Sequence, residues 1–396
     1  MIANLIAKPS RLIIGLMSGT SLDGVDAAIV KVEGSGLDTK TELLSFTTVA
    51  YDDTLREKLK ELCSLEHSDV AKVCGMNFYI ADVLADAAER AVREAGLTMN
   101  DIDLISSHGQ TIWHIPAADP ADWSLVRSTL QIGDLSVIAK RTGKPVVGDY
   151  RTADMAVGGQ GAPLVPYADF ILFRHEAKGR ILQNIGGIGN CAAIPAGGLP
   201  EQVVAFDTGP GNMLIDQAVH TLSGGAKSYD DGGQWAAQGA ADETIVAEMM
   251  SHPYFSMPLP KTTGRELFGK AYAQQWIGRM REKGLSDADI VGTFTAFTAH
   301  SIARSYRDYV LPVMTVHEIV VSGGGAHNRT LLAMIAGLLP EQTVTSTDAL
   351  GMSSDAKEAV AFALFGNNFL FGVPNTLPSA TGAPVATIMG KLALPG

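Results

Sequence analysis

Cysteine is scarce in this chain: only Cys63, Cys74 and Cys191 occur among 396 residues, with no Cys-x-x-Cys spacing. Three thiols cannot all pair, which argues against a disulfide scaffold and for a reduced, cytoplasmic protein with buried thiols. Long apolar runs are missing too. None approaches the ~18–20 residues of a membrane span, and the N-terminus lacks the basic, apolar, small-residue order of a cleaved signal. Basic charge is in deficit, with Lys+Arg 30 against Asp+Glu 42, a net charge of −12 and no block of like charges. That balance argues against nucleic-acid and anionic-membrane partners, which need a basic face. It leaves small anionic ligands open, because backbone N–H groups and metal ions bind those without Lys or Arg. No low-complexity segment and no short repeat is visible, which excludes solenoids and propellers.

What the chain does have is apolar material and glycine. Apolar residues make up 46%, enough for a large core, and the length suggests two or three domains at ~150 residues each. Glycine is the outlier, 42 residues or about 11% against a usual ~7%. Strand-like runs (Arg11–Met17, Asp101–Ser106, Pro145–Gly148, Arg180–Ile185, Gln202–Phe206, Glu318–Ser322) alternate with helical patterns. The helical patterns are Asn77–Glu94, Asn212–Leu222, Asp242–Met250, Thr293–Val310 and Asn328–Leu338. This predicts an α/β protein. Several runs end in glycine and small polar residues, where α/β proteins place ligands.

Two apparent nucleotide motifs fall away. Gly264–Ala271 nearly fits a P-loop, but Ala271 replaces the Ser/Thr that would hold Mg²⁺ and no strand precedes it. Gly187-Ile-Gly189-Asn-Cys-Ala192 opens no helix before Pro195. Three other loops stand out. Gly15-Leu-Met-Ser-Gly-Thr-Ser-Leu-Asp-Gly-Val-Asp26 reads as strand, polar turn, strand. Its Ser18, Gly19, Thr20 and Ser21 admit phosphate oxygens closely, and Asp23, beside Gly24, suits a hydrated Mg²⁺. In Val203–Asn212 a strand delivers Asp207, Thr208–Gly211 turn, and Asn212 is placed to cap the next helix. Ile319–Asn328 is again strand, glycine turn and helix. Its Gly323, Gly324 and Gly325 leave bare backbone for a flat ring or ribose.

Two Asp-Gly phosphate loops plus a glycine-rich adenosine motif resemble the actin, hexokinase and Hsp70 ATPase superfamily. The chain further resembles the anhydro-N-acetylmuramic acid kinases, from residue 15 to the C-terminus. That likeness is carried by Gly15–Asp26, Ser107-His-Gly-Gln-Thr-Ile-Trp-His114, Thr129-Leu-Gln-Ile-Gly133, Gly148-Asp-Tyr-Arg-Thr-Ala-Asp154 and Gly158–Pro166. It continues through Asn184–Asn190, Phe206–Asn212, Lys261–Glu266 and Ala380-Thr-Gly-Ala383. Residues 1–10 read as a dispensable leader.

The resemblance implies a two-lobed actin-like or hexokinase-like ATPase fold with a cleft between the lobes. It implies residues 1–145 as the first lobe, 146–374 as the second, and a C-terminal strand at about 375–396, around Pro384–Met389, returning to the first. It implies ATP and Mg²⁺ as cofactors and a cytoplasmic homodimer. The reaction it implies opens 1,6-anhydro-N-acetylmuramic acid with water and phosphorylates O6, giving N-acetylmuramic acid 6-phosphate. Asp154 matches the family's general base for the attacking water, and Glu358 is a second candidate for orienting it. The cofactor-binding set is Ser18, Gly19, Thr20, Ser21, Leu22, Asp23, Gly24, Val25, Asp26, Gly186, Gly187, Asp207, Thr208, Gly209, Gly211, Asn212, Gly323, Gly324, Gly325 and Asn328. Asp23 and Asp207 would reach the metal through water. His108, Gln110, Gln131, Arg151 and Gly159 are the sugar-side candidates, with Arg151 suited to the lactyl carboxylate or a phosphate. A levoglucosan-type kinase and a nucleotide-gated interaction protein of the Hsp70 or actin kind are the alternatives.

Overall fold

The computed structural model describes residues 1–19, 21–259 and 261–396. Its backbone divides into two compact units, Met1–Leu172 with Asp355–Gly396, and Phe173–Ser354. The expected α/β class with two lobes stands, each unit having a sheet of its own.

In the first unit the strands are β1 (Ser10–Ser18), β2 (Gly24–Glu33), β3 (Lys40–Ala50), β4 (Leu104–Ile115), β5 (Ser128–Ile132) and β6 (Val146–Gly148). The second unit supplies β7 (Arg180–Ile185), β8 (Ile188–Ile194), β9 (Val204–Pro210), β10 (Glu318–Ser322) and β11 (Thr343–Ser346). The last strand, β12 (Lys391–Ala393), pairs antiparallel with β6 and so belongs to the first sheet. The C-terminal segment thus adds its strand a few residues beyond Pro384–Met389.

The first sheet runs β12-β6-β4-β1-β2-β3, with β5 on β4. Alternation along β1 explains its two faces. Ile14 and Leu16 join a core with Leu84, Ala88 and Val92 of the Val70–Glu94 helix, each of the Ile, Leu and Val side chains contributing about 1.5–3 kcal/mol. Gly15, between them, faces the Lys357–Leu370 helix. A Cβ there would lie 1.8 Å from the Ala359 carbonyl oxygen, so helix and sheet meet at backbone distance. Ser106 of β4 bonds the Phe362 carbonyl on the same side. This packing ties residues 355–370 to the first unit. The units therefore divide at 172/173 and 354/355, not at the expected 145/146 and 374/375, and Asp154 lies in the first unit.

The second sheet runs β11-β10-β7-β8-β9. Its parallel strands cover a core with Ala299 and Ile302 of the buried Asp287–Tyr309 helix. Tyr306 there donates to Gln183 Oε1 at 2.6 Å. The two sheets share one plan. In each, three consecutive strands pair antiparallel and the first continues into two parallel strands: β3-β2-β1-β4-β6 and β9-β8-β7-β10-β11. The turn between β1 and β2 therefore corresponds to the turn between β7 and β8.

Candidate active site

In the first unit the β1–β2 turn presents some of its residues outward and turns others in. Ser21 and Asp23 are exposed and joined, Ser21 Oγ donating to Asp23 Oδ1 at 2.8 Å. Leu22, with φ +56°, and Val25 are buried. Gly24 is packed, because a Cβ would lie 2.4 Å from the Val49 carbonyl oxygen. Asp26 accepts from Thr48 Oγ1 at 2.7 Å, and burial raises its carboxyl. Thr20 lies outside the described residues. Ser18, expected to face phosphate, points inward: its hydroxyl donates to Gln110 Oε1 at 2.6 Å and meets Tyr51 Oη at 2.8 Å.

That contact also redefines Gln110. Its Nε2 donates to the Gly19 and Thr111 carbonyls, so this fully buried amide ties β4 to the turn rather than facing a sugar. His108 is likewise saturated. Its Nδ1 donates to the Ser18 and Gly109 carbonyls at 3.1 and 2.9 Å, and its Nε2 accepts from Arg151 Nε at 3.0 Å. Burial, helped by Arg151, pushes its pKa down to about 3, so the ring is neutral and acts through Arg151. Gln131 differs. Its Nε2 donates to Thr111 and Thr129 hydroxyls, while Oε1 is buried without a partner beside a cavity of about 440 Å³ that Asn77, Ser107 and Asp149 also line.

Arg151 opens the Arg151–Ala156 helix after β6. Its Nη1 donates to the Gly161 carbonyl at 2.7 Å. Burial lowers its pKa and Glu358 opposes that shift. One turn on, Asp154 is completely buried. Its Oδ1 accepts from Thr381 Oγ1 at 2.7 Å and its Oδ2 from the Gly161 N–H at 2.8 Å. Gly159 lies directly against it. Ser18, His108, Arg151, Gly161 and Asp154 thus form one continuous hydrogen-bonded chain. Glu358, in the first turn of the Lys357–Leu370 helix, is exposed. The surrounding protein nonetheless raises its carboxyl, through desolvation first, with Lys357 and Arg151 opposing and Asp169 and Asp26 adding.

In the second unit three loops meet at the carboxyl end of β7. The Gly211, Asn212 and Met213 amides donate to the Gly186 and Gly187 carbonyls at 2.7–3.2 Å. Gly323 abuts Asn184, and Gly325 abuts the Ile185 side chain. Asn328 caps the Arg329–Leu338 helix by accepting from the Leu331 N–H. Asn212, expected to cap the Met213–Leu222 helix, instead donates its Nδ2 to the Ile185 carbonyl at 3.1 Å, fastening β7 to the turn. Asp207 accepts from the Thr263 N–H at 2.9 Å, and burial raises its carboxyl. Thr208 is buried against Gln183, and Gly209, at φ +131°, is packed near Phe255. By topology, the counterpart of the Ser21–Asp23 turn is Gly186-Gly187, not the Asp207 turn.

Glycines that the fold requires separate here from those it does not. A Cβ on Gly211, Gly323 or Gly325 would come within 2.3–2.6 Å of other atoms, whereas on Gly19, Gly186 or Gly324 the nearest neighbour is 3.5–3.7 Å away. None of the latter three has the positive φ that favours glycine. Bare backbone at those positions suits a ligand's close approach, as phosphate and nucleoside demand. Gly324 also lines a cavity of about 550 Å³ with Asn212, Asp216, Tyr229 and Asn328, a size that suits a nucleoside. Asp216 there has its pKa pushed up to about 6 by burial and by Asp230. Gly186→Ala is therefore expected to leave the melting temperature unchanged or slightly raised, while the KM for the phosphoryl donor rises at least tenfold. Thermal melts and steady-state kinetics check both halves.

Comparison with known proteins identifies the family. Residues 11–395 match the family described as Anhydro-N-acetylmuramic acid kinase. A protein of that name from Caldanaerobacter subterraneus subsp. tengcongensis is 48% identical over 387 residues, 98% of each chain. One from Bacillus cereus strain G9842 is 44% identical over 385 residues, 97% of this chain and 99% of its own. Among solved structures, the Acidaminococcus fermentans (R)-2-hydroxyglutaryl-CoA dehydratase component A aligns at TM-score 0.45 and 12% identity, over 92% of this chain and 100% of that one. With a family match over nearly its whole length and relatives this similar, the chain belongs to the anhydro-N-acetylmuramic acid kinase family.

Proposed function

We propose that this kinase uses ATP and water to convert 1,6-anhydro-N-acetylmuramic acid into N-acetylmuramic acid 6-phosphate and ADP, a step of cell-wall recycling. The observation that carries the reading is the Asp154 carboxylate, buried and held at both oxygens beside Arg151. In this sugar O6 is locked in an acetal, so a base on O6 has no proton to take. Water attacks C1, the C1–O6 bond breaks, and O6 takes the γ-phosphoryl group as ADP leaves. The proton lost by the water goes to Asp154 as general base. Arg151, fixed by His108 and the Gly161 carbonyl, has its Nη2 end free of hydrogen bonds among the described residues. It is placed to take the lactyl carboxylate or a phosphate oxygen. Phosphoryl transfer needs alignment and charge neutralisation more than covalent chemistry.

In the second unit, backbone at Gly186 and Gly324 would receive the nucleotide; in the first, the open backbone at Gly19 suits a phosphate. Among the described residues no three His, Cys, Asp or Glu side chains gather around one point. Asp23, exposed in the first unit, and Asp207, in the second, are each proposed as a carboxylate that would hold hydrated Mg²⁺ through water; the ion's part would be to neutralise phosphate charge. The homodimer and the cytoplasmic setting belong to the same proposal. Among the described residues no helix is long and apolar enough to cross a membrane.

Turnover in ¹⁸O-labelled water tests the reading. Label is expected on C1 of the product and absent from the phosphate, as read by mass spectrometry. Label in the phosphate alone would mean plain ATP hydrolysis. Rapid turnover of levoglucosan with none of the muramic sugar would overturn the substrate.

A further inference from the structure

The Asp154 carboxylate is fully buried and each of its oxygens accepts one hydrogen bond, which leaves on each a lone pair that a water could reach. Its two partners are unlike. On Oδ2 the donor is the backbone N–H of Gly161, in the loop Gly158-Gly-Gln-Gly161, whose Gly158 and Gly161 take positive φ. On Oδ1 the donor is the hydroxyl of Thr381, 227 positions away in sequence and itself 1% exposed. Thr381 ends a short capped turn (Pro378–Thr381) and receives the Ala383 N–H on the same oxygen at 3.4 Å. Its carbonyl accepts from the Gln160 N–H at 2.9 Å.

We infer that Thr381 is a positioning residue for Asp154: its hydroxyl on Oδ1, with the Gly161 N–H on Oδ2, fixes the carboxylate plane that the attacking water meets. This rests on the reading of Asp154 as the base. Thr381 is a β-branched side chain with a restricted χ1, buried and engaged on both sides. Gly161 is pinned as well, its carbonyl accepting from Arg151 Nη1. Between them the two donors leave the carboxylate little rotation, and only the Thr381 donor is a side chain. A hydroxyl donor on one oxygen also suits a base that must be aimed before water arrives.

The test compares Thr381→Val, Thr381→Ser and Asp154→Asn in the full chain, reading kcat, KM for ATP and melting temperature. Thr381→Val keeps the shape and loses the donor, and its kcat is expected to fall about 10–100-fold with KM for ATP within twofold of wild type. Thr381→Ser restores the donor and is expected within about fivefold of the wild-type kcat. Adding Thr381→Val to Asp154→Asn is expected to lower the residual rate no further, since the two act as one unit. If Thr381→Val does not fold, Thr381→Ala is read by the same criteria. A folded Thr381→Val or Thr381→Ala with wild-type kcat overturns the inference while leaving Asp154 as the base. So does equal damage from Thr381→Ser and Thr381→Val. An active Asp154→Asn instead removes the reading on which the inference stands.

Discussion

Replacing Asp154 with Asn is expected to cut turnover by at least 10²–10⁴-fold, the range a general base supplies, and to leave ATP binding within twofold of wild type. The surroundings make this substitution clean. Asn keeps an acceptor for the Gly161 N–H on one side. On the other, its amide meets the Thr381 hydroxyl, which both donates and accepts. Both side-chain heavy atoms of Asn keep a hydrogen bond and only the Thr381 O–H gives up its acceptor, so the fold survives and the main difference is the missing proton acceptor. Gly19, the open glycine of the same unit, has Ser21 and Met17 rather than Asp154 around its Cβ position. Steady-state rates with the anhydro sugar, together with calorimetric titration of ATP, measure the two halves separately. A variant keeping more than a tenth of the wild-type rate would show that another group takes the proton.

How far this site was legible in the sequence depends on whether a residue's partners lie near it in the chain. The strand–turn–strand at Gly15–Asp26 and the strand–glycine–helix at Ile319–Asn328 are local patterns, and both form as read. The Val203–Asn212 pattern also forms, but the cap on its helix does not, because Asn212 finds the Ile185 carbonyl in space. His108 and Gln110 have the chemistry of sugar ligands, and nothing nearby in sequence says otherwise. Their partners are Ser18, Gly19 and Arg151, 43 to 91 positions away, and those bonds make them framework. The shared strand order of the two units is equally silent, because pairing fixes backbone direction without requiring similar side chains: Ser18-Gly-Thr-Ser and Ile185-Gly-Gly-Ile occupy corresponding turns. The unit boundary follows the same logic: the expected 145/146 division falls in the short link between the Leu135–Thr142 helix and β6, inside the first unit. What assigns residues 355–370 to the first unit is the absence of a side chain at Gly15, a contact with no local signature. Thr381 stands in the Ala380–Ala383 motif, but its role has no local sign for the same cause, the carboxylate it serves lying 227 positions away.

Gly159→Ala is the second substitution with a large expected effect, and it works by a different route. Gly159 was read as room for the sugar; the structure gives it a nearer neighbour. A Cβ at that position would lie 2.1 Å from Asp154 Oδ2, 2.6 Å from Cγ and 2.8 Å from Oδ1. Separations below 3.0 Å force movement, and neither side yields freely. The carboxylate is tied to Thr381 and Gly161. The loop is tied by Arg127 to the Gly158 carbonyl and by Arg151 to the Gly161 carbonyl. Displacing the carboxylate by about 1 Å costs on the order of 100-fold in rate, and overpacking of this kind costs about 1–3 kcal/mol of stability. The expected result is a folded enzyme with a lowered melting temperature, a kcat down about 100-fold and an unchanged KM for ATP. Gly186→Ala is its mirror image, with stability kept and KM for ATP raised. The two variants together separate glycine that makes room for a catalytic carboxylate from glycine that makes room for a nucleotide. A Gly159→Ala enzyme within threefold of the wild-type kcat would mean that the Gly158–Gly161 loop moves aside without disturbing Asp154, and that its closeness to the carboxylate carries no weight in catalysis.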